Sequence, residues 1–171
     1  TASDGSLSPL EILALAQQQG LQTLAITDHD TIEGYKQALP ASAAHGISLI
    51  SGVEISTQWC GMNIHVVGLN FDVENASLVA GLALQAQSRQ QRAELIAQRL
   101  QRRGASSDLL QRVQQIAGNG QIGRPHFAQA LVDEGLVADS ANAFKRYLGS
   151  GKTGDVKALW CELPQAVEWI V

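Results

Sequence analysis

The sequence predicts an α/β fold, the first part of a mostly parallel sheet or barrel interrupted by an all-helical insertion. Three observations carry this. Over residues 1–71, helical and strand-like segments alternate, the pattern of a largely parallel sheet. From Asp72 to about residue 150 the pattern is helical only, with glycine-rich breaks. After "GSGKTGDV", a short apolar piece ("KALWC") and a helix start ("LPQAVEWIV") bring back the alternation of residues 1–71. The implied division is 1–71 for the first part of the α/β unit, 72–150 for the helical insertion and 151–171 for a return to the α/β unit.

Each element has its own signal. "SPLEILALAQQQG" opens with a capping serine, Ser8, a proline suited to the first helical position, Pro9, and Glu11 where a capping box wants it. Leu10, Leu13 and Ala14 give the helix an apolar face, and Gly20 stops it. "LQTLAIT" is a short buried strand that ends in Asp28, His29 and Asp30. "TIEGYKQALPASAAHG" is helical with a break near Pro40, and His45 belongs to the end of that helix, where the dipole favours it. "ISLISGVEIST" is a second strand, rich in β-branched residues, and "NIHVVGLNF" is a third. The insertion holds roughly four helices, the first longer than about 25 residues. "GSGKTGD" lacks the four-residue gap and the strand and helix context of a phosphate-binding P-loop, and is expected to be a flexible loop.

Composition narrows the function classes. With 171 residues, 45% of them hydrophobic and 16% charged, the chain is of ordinary globular type and long enough for one domain with an insertion. A net charge of −4 argues against wrapping duplex nucleic acid, and no apolar run approaches the roughly 20 residues that cross a bilayer. Cys60 and Cys161 have no motif spacing and are expected to be reduced thiols of a cytoplasmic protein.

Polar residues gather at strand ends. Asp4 lies before the first helix, His29 ends the first strand, Glu54 sits near the end of the second, and His65 lies in the third. In a parallel α/β barrel the carboxyl ends of the strands converge on one face, and that face carries the chemistry. Two imidazoles and two carboxylates make a mixed nitrogen and oxygen donor set suited to zinc, manganese or iron rather than calcium. Asp28 and Asp30 flank His29, and one of them is expected to orient its imidazole through the second ring nitrogen. A second cluster is "IGRPHFAQALVDEG". There Arg124 and His126 flank Pro125 at a helix start, a place where N–H groups and an arginine fork grip phosphate. Arg89 and Arg92 share one face of the long helix.

The segments "TASDGSLSPLEILALAQQQGLQTLAITDHDTIEGYKQA", "LISGVEIST", "NIHVVGLNFD" and "GRPHFAQALVDEG" together resemble the PHP (polymerase and histidinol phosphatase) family. Within it they are most similar to the stand-alone bacterial phosphoesterases that act on nucleotides. The resemblance implies a distorted (β/α)7 TIM-like barrel with a helical insertion and up to three divalent metal ions. By resemblance, Asp4, His29, Glu54 and His65 are metal ligands that act through activated water, and Arg124 and Arg89 bind substrate, with His126 placed beside them by its position at the helix start. It also implies a His-x-His pair before "TASDG" and further ligands after the final helix. The sequence is therefore expected to be a fragment of a longer protein. The implied activity is hydrolysis of nucleotide phosphates, such as nucleoside 3′,5′-bisphosphates, or of short RNA ends. The alternatives are a 5′–3′ exoribonuclease on short oligoribonucleotides and a non-catalytic binding module.

Overall fold

The computed structural model describes residues 1–157 and 160–171, so the "KALWC" segment lies partly outside the described residues. Two compact units are present, Thr1–Ala86 with Trp160–Val171, and Gln87–Leu159.

The first unit is α/β. Helix α1 (Pro9–Gln18) starts as its sequence predicts: the Ser8 N–H donates to Glu11 Oε2 (2.7 Å) and the Glu11 N–H to Ser8 Oγ (3.3 Å). Strand β1 (Thr23–Ala25) pairs in parallel with β2 (Ser48–Ile50). Between them α2 (Glu33–Ser42) runs through Pro40 and tightens into a 3₁₀ turn, Ala43–His45, that Gly46 ends at φ 69. The expected break near Pro40 thus falls later, beyond His45.

The expected single strand over 47–57 is two. At Ser51 the chain passes from β2 into β3 (Gly52–Trp59), which keeps the register beside the β1 side and gains an antiparallel partner on its other edge, and the Ser51 hydroxyl donates to the Phe71 carbonyl (2.7 Å). Gly52 is required there, because a Cβ would lie 2.7 Å from the Ile26 carbonyl oxygen. Strand β4 (Met62–Leu69) corrects the mostly parallel expectation: it runs antiparallel to β3, with Trp59 opposite Met62. The connection is the pair Cys60 (φ 49) and Gly61 (φ 77), and two positive φ values in a two-residue loop give the hairpin turn whose twist matches the strands. On the other edge of β3, the short β5 (Cys161–Glu162) pairs in parallel and leads into α7 (Leu163–Ile170).

Two apolar clusters hold this unit. Leu13, Ala16, Ile26, Ala38 and Ile47 join α1 and α2 to the β1–β2 ribbon. Val53, Ile55, Leu78, Leu82, Ala166 and Trp169 join β3 to the first turns of α3 (Ala76–Gln101) and to α7. The second unit is helical among its described residues. The remainder of α3, α4 (Leu109–Ala117), α5 (Arg124–Asp133) and α6 (Ser140–Ala143), continued by a π-turn over Phe144–Leu148, enclose a core around Phe127, Leu131 and Leu148. The "GSGKTGD" stretch closes on itself, Gly151 N–H donating to Asp155 Oδ2 (2.7 Å) and Gly154 N–H to the Tyr147 carbonyl (2.6 Å).

Candidate metal centre and arginine cleft

Backbone pairing brings the strand-end residues together. Beyond Ala25 the chain stays extended. The Glu54 N–H donates to the Asp28 carbonyl and the Asp30 N–H to the Glu54 carbonyl, both at 3.0 Å, so His29 lies beside Glu54 as a parallel bridge. Asp30 then enters the left-handed region (φ 53) and ends the extension. Across the hairpin, Ser56 faces His65 and Glu54 faces Val67, which makes Glu54 and His65 diagonal neighbours on one face. His65 therefore reaches the site from the middle of an antiparallel strand, not from the carboxyl end of a parallel one as expected.

Glu54 Oε1 is 3.0 Å from His65 Nδ1 and 3.8 Å from His29 Nδ1, and the two imidazoles meet edge to face with centroids 4.9 Å apart. One donor atom from each of the three lies within 4.8 Å of the others. Asp4, which is exposed, stands at the margin, its Oδ2 3.8 Å from His29 Nε2. His29 Nδ1 is buried and has no hydrogen-bond partner among the described residues. Burying such a group costs about 1–3 kcal/mol unless something satisfies it. Four ligand atoms about 2.1 Å from a tetrahedral cation are about 3.4 Å apart, so a divalent ion fits this donor set.

Asp28 and Asp30 depart from the expected role of orienting the imidazole. The Asp28 carboxylate accepts from the Thr1 N–H (2.6 Å), the Thr1 hydroxyl and the Ser3 hydroxyl (2.9 Å), and Ser3 Oγ in turn accepts the His29 N–H (3.2 Å). Asp30 Oδ1 accepts from the Ser56 N–H (2.7 Å) and from the Gln85 amide (3.0 Å). Both acids thus fix the backbone that carries His29. A strand-end Asp is ambiguous in sequence, because the same side chain serves a ring nitrogen or an orphaned N–H.

In the helical unit, Arg89, Arg92 and Arg124 line one cleft with Ile122, Gly123 and Phe127. Arg89 is buried, with Nη1 donating to the Ile122 carbonyl (3.4 Å), and Arg124 Nη1 donates to the Leu148 carbonyl (3.1 Å). Arg92 Nε donates to the Val156 carbonyl (2.9 Å). Burial first, then the nearby Arg124 and Arg89, bring the Arg92 guanidinium down to about 10 against the opposing pull of Asp155. His126 is buried, and its Nδ1 accepts the Gly123 N–H (2.9 Å) while its own backbone N–H donates to the Gly123 carbonyl (3.2 Å). It closes the turn that starts α5 at Arg124.

Sequence reasoning left two residues out of the site, Arg92 and Gln85. Both lie on or beside the buried stripe of α3, which runs Leu78, Leu82, Gln85, Arg89, Ala93 and Ile96. Polar residues that interrupt such a stripe were the available signal.

Known proteins resolve what this arrangement belongs to. A model of the PHP domain matches residues 1–149. The chain belongs to the PHP family. This PHP chain is 45% identical over 99% of its length to a 5′-3′ exoribonuclease of Haemophilus influenzae, and 42% identical over 99% to the 5′-3′ exoribonuclease Rnm of Escherichia coli. It is 37% identical, again over 99%, to a 3′,5′-nucleoside bisphosphate phosphatase of Chromobacterium violaceum. It spans 61%, 58% and 59% of those three proteins, about three fifths of the curated relatives it matches. Among solved structures it superposes on an amidohydrolase of C. violaceum with bound sulfate and no metal (TM-score 0.89, 37% identity, 98% of this chain and 59% of that one). No helix among the described residues is long and apolar enough to cross a membrane.

Proposed function

We propose that the protein to which this chain belongs is a divalent-metal-dependent phosphoesterase acting on nucleotide phosphates. The observation that carries the proposal is the convergence of His29, Glu54 and His65 around a buried ring nitrogen that nothing else satisfies. His29, Glu54 and His65 hold the ion, with Asp4 at the margin, and manganese, zinc or iron suits their nitrogen and oxygen atoms. When bound, the ion supplies a Lewis acid for a phosphoryl oxygen and a water acidic enough to ionise near neutral pH. Glu54, shared between both imidazoles, fixes their spacing, and the bridge to β3 keeps His29 from rotating away. Arg124, with Arg89 and Arg92, grips phosphate oxygens through forked, charge-assisted bonds. His126 and Gly123 keep Arg124 at the start of α5.

The substrates are nucleoside 3′,5′-bisphosphates, which carry a second phosphate for the arginines, a reading supported by the C. violaceum relative's name. A second reading, removal of nucleotides from the 5′ end of short oligoribonucleotides, is favoured by two relatives at 45% and 42% identity. We assign the α/β unit to the first part of a distorted (β/α)7 barrel, with 1–71 and 151–171 as barrel and 72–150 as insertion. The cytoplasm is the compartment proposed for the protein.

The test is steady-state kinetics of the complete protein on adenosine 3′,5′-bisphosphate, a 5′-phosphorylated short oligoribonucleotide and a small phosphate ester, with manganese supplied. Arg124→Ala is expected to lose about 1.5–3 kcal/mol of transition-state stabilisation on the first two, about tenfold to a hundredfold in kcat/KM. It should leave the small ester nearly unchanged, and Arg124→Lys should also fail, because lysine lacks the fork. A wild-type protein that hydrolyses none of the three with any of manganese, zinc or iron refutes the enzyme reading and leaves the binding module.

A further inference from the structure

Two strands share one edge of β3, and a gap separates them. The β1 extension pairs with β3 at Glu54, through the N–H and carbonyl of that residue. Strand β5 takes over on the same edge at Thr57, paired with Cys161. Ser56 lies between, with its N–H and its carbonyl both directed to this edge. Side chains meet it there. The Ser56 N–H donates to Asp30 Oδ1 (2.7 Å), and the Ser56 carbonyl accepts from Gln85 Nε2 (2.5 Å). The same Gln85 amide donates its second hydrogen to Asp30 Oδ1 (3.0 Å), and Gln85 Oε1 accepts the Cys161 N–H (3.3 Å). One glutamine, 2% exposed, thereby links the end of the β1 extension, β3 and the start of β5.

We propose that Gln85 is a positioning residue for the metal centre, setting the separation of His29 from the Glu54–His65 pair through Asp30 and Ser56. The inference rests on the metal-centre reading of the same site. Asp30 follows His29 directly and sits at φ 53, a conformation an aspartate holds only when its surroundings impose it. The bonds from Gln85 and Ser56 to its carboxylate, and from its own N–H to the Glu54 carbonyl, hold it there. Ser56 faces His65 across the hairpin. Its N–H and carbonyl point away from β4, so the two residues meet at a non-hydrogen-bonded position, where facing side chains come closest. A displacement of Ser56 therefore moves His65, and a displacement of Asp30 moves His29. Gln85 restrains both with a single planar group. An apolar residue here would fill the volume and leave the carboxylate and the carbonyl without these donors, free to drift apart.

The experiment is titration of the metal-free complete protein with Mn²⁺ alone, the free ion followed by electron paramagnetic resonance. Gln85→Met keeps the volume and the helix propensity and removes the hydrogen bonds. Its Mn²⁺ dissociation constant is expected to rise about tenfold to a hundredfold, the range for residues that orient metal ligands. Leu13→Ala, in a separate apolar cluster, is the control: it should lower Tm at least as much and leave Mn²⁺ affinity within about twofold. Where Gln85→Met does not fold, Gln85→Asn, whose amide falls one methylene short of Asp30 and Ser56, carries the same expectation. Unchanged affinity in the Gln85 variant, with the wild type binding Mn²⁺, overturns the positioning role and leaves the metal centre standing. Weakening of both variants in proportion to their loss of Tm overturns it too, because Gln85 is then structural only. A wild type that takes up no Mn²⁺ removes the metal centre and this inference with it.

Discussion

Replacing Arg92 with methionine separates what the arginine cleft costs the fold from what it does for an anion. Burial and the charges of Arg124 and Arg89 bring the Arg92 guanidinium down to about 10. At about 1.4 kcal/mol per tenfold loss of proton affinity, and reduced by about half for the solvent that still screens this partly exposed group, holding the charge costs about 1.5–2 kcal/mol. The sign follows from proton counts. The folded state releases the Arg92 proton at a lower pH than the unfolded chain does, so the penalty is full at every pH below about 10 and lifts only above it. Methionine keeps an unbranched apolar stem, removes the charge and forfeits the charge-assisted bond to the buried Val156 carbonyl, worth about 2 kcal/mol.

The two effects nearly cancel. Without phosphate, and with metal removed so that only the cleft responds, Arg92→Met should melt within about 3 °C of wild type, equally at pH 7 and pH 9. With inorganic phosphate at about a hundred times its wild-type dissociation constant, the wild type gains about 2.7 kcal/mol, or about 5–10 °C. Loss of one charge-assisted bond, about 2 kcal/mol, weakens phosphate about thirtyfold. The variant at the same concentration then gains only about 0.9 kcal/mol, or about 2–3 °C. Scanning calorimetry of both proteins with and without phosphate measures all four values. An equal phosphate response in the two proteins, or a phosphate-free Tm more than about 5 °C below wild type, would refute the account of the cleft as an anion site held together against its own charge.

Two further outcomes test the first unit. Gly81→Ala places a Cβ 2.4 Å from the Trp169 indole, so the overpacking should outweigh the gain in helix propensity and destabilise by about 1–2 kcal/mol, read as a Tm loss of about 3–6 °C with altered tryptophan fluorescence. Burial, then the Asp30 and Glu162 charges, push the Cys161 thiol up to about 11. At pH 8 only about one Cys161 in a thousand is thiolate, against about a quarter of an ordinary exposed thiol, so iodoacetamide should label the exposed Cys60 at least a hundredfold faster, as peptide mass spectrometry would resolve.

The sequence makes legible what local chemistry decides. Ser8, Pro9 and Glu11 specify the start of α1 whatever surrounds it, and the bonds between Ser8 and Glu11 form as expected. His29, Glu54 and His65 are legible because three strand-like segments each carry one group out of keeping with a strand interior. The hairpin is not legible: its turn is Cys60-Gly61 rather than the usual asparagine-glycine pair, and without it His65 has no antiparallel route to Glu54. Nor is the division at Ser51, where one strand-like run conceals the point at which an antiparallel partner joins, marked by the Ser51 bond to the Phe71 carbonyl and the close approach of Ile26 to Gly52. Gln85 escapes notice, and Arg92 is seen without its role, for a related reason. Their meaning lies in partners 29 to 76 positions away, Ser56, Asp30, Cys161 and Val156, which no window along α3 contains.

These residues share a physical character. His29 Nδ1 is buried without a partner, Asp30 holds a left-handed backbone, Ser56 depends on side chains for its rung, and Arg92 keeps its charge beside two other arginines. Each is a local expense of order 1–3 kcal/mol that an apolar or regular alternative would avoid. Together they occupy two places, the three-residue donor set of the α/β unit and the cleft of the helical unit. A fold under selection for stability alone has no reason to collect its frustrated groups in this way. The two kinds of frustration also differ in sign. An orphaned ring nitrogen beside a carboxylate is relieved by a cation, and converging guanidinium groups are relieved by an anion.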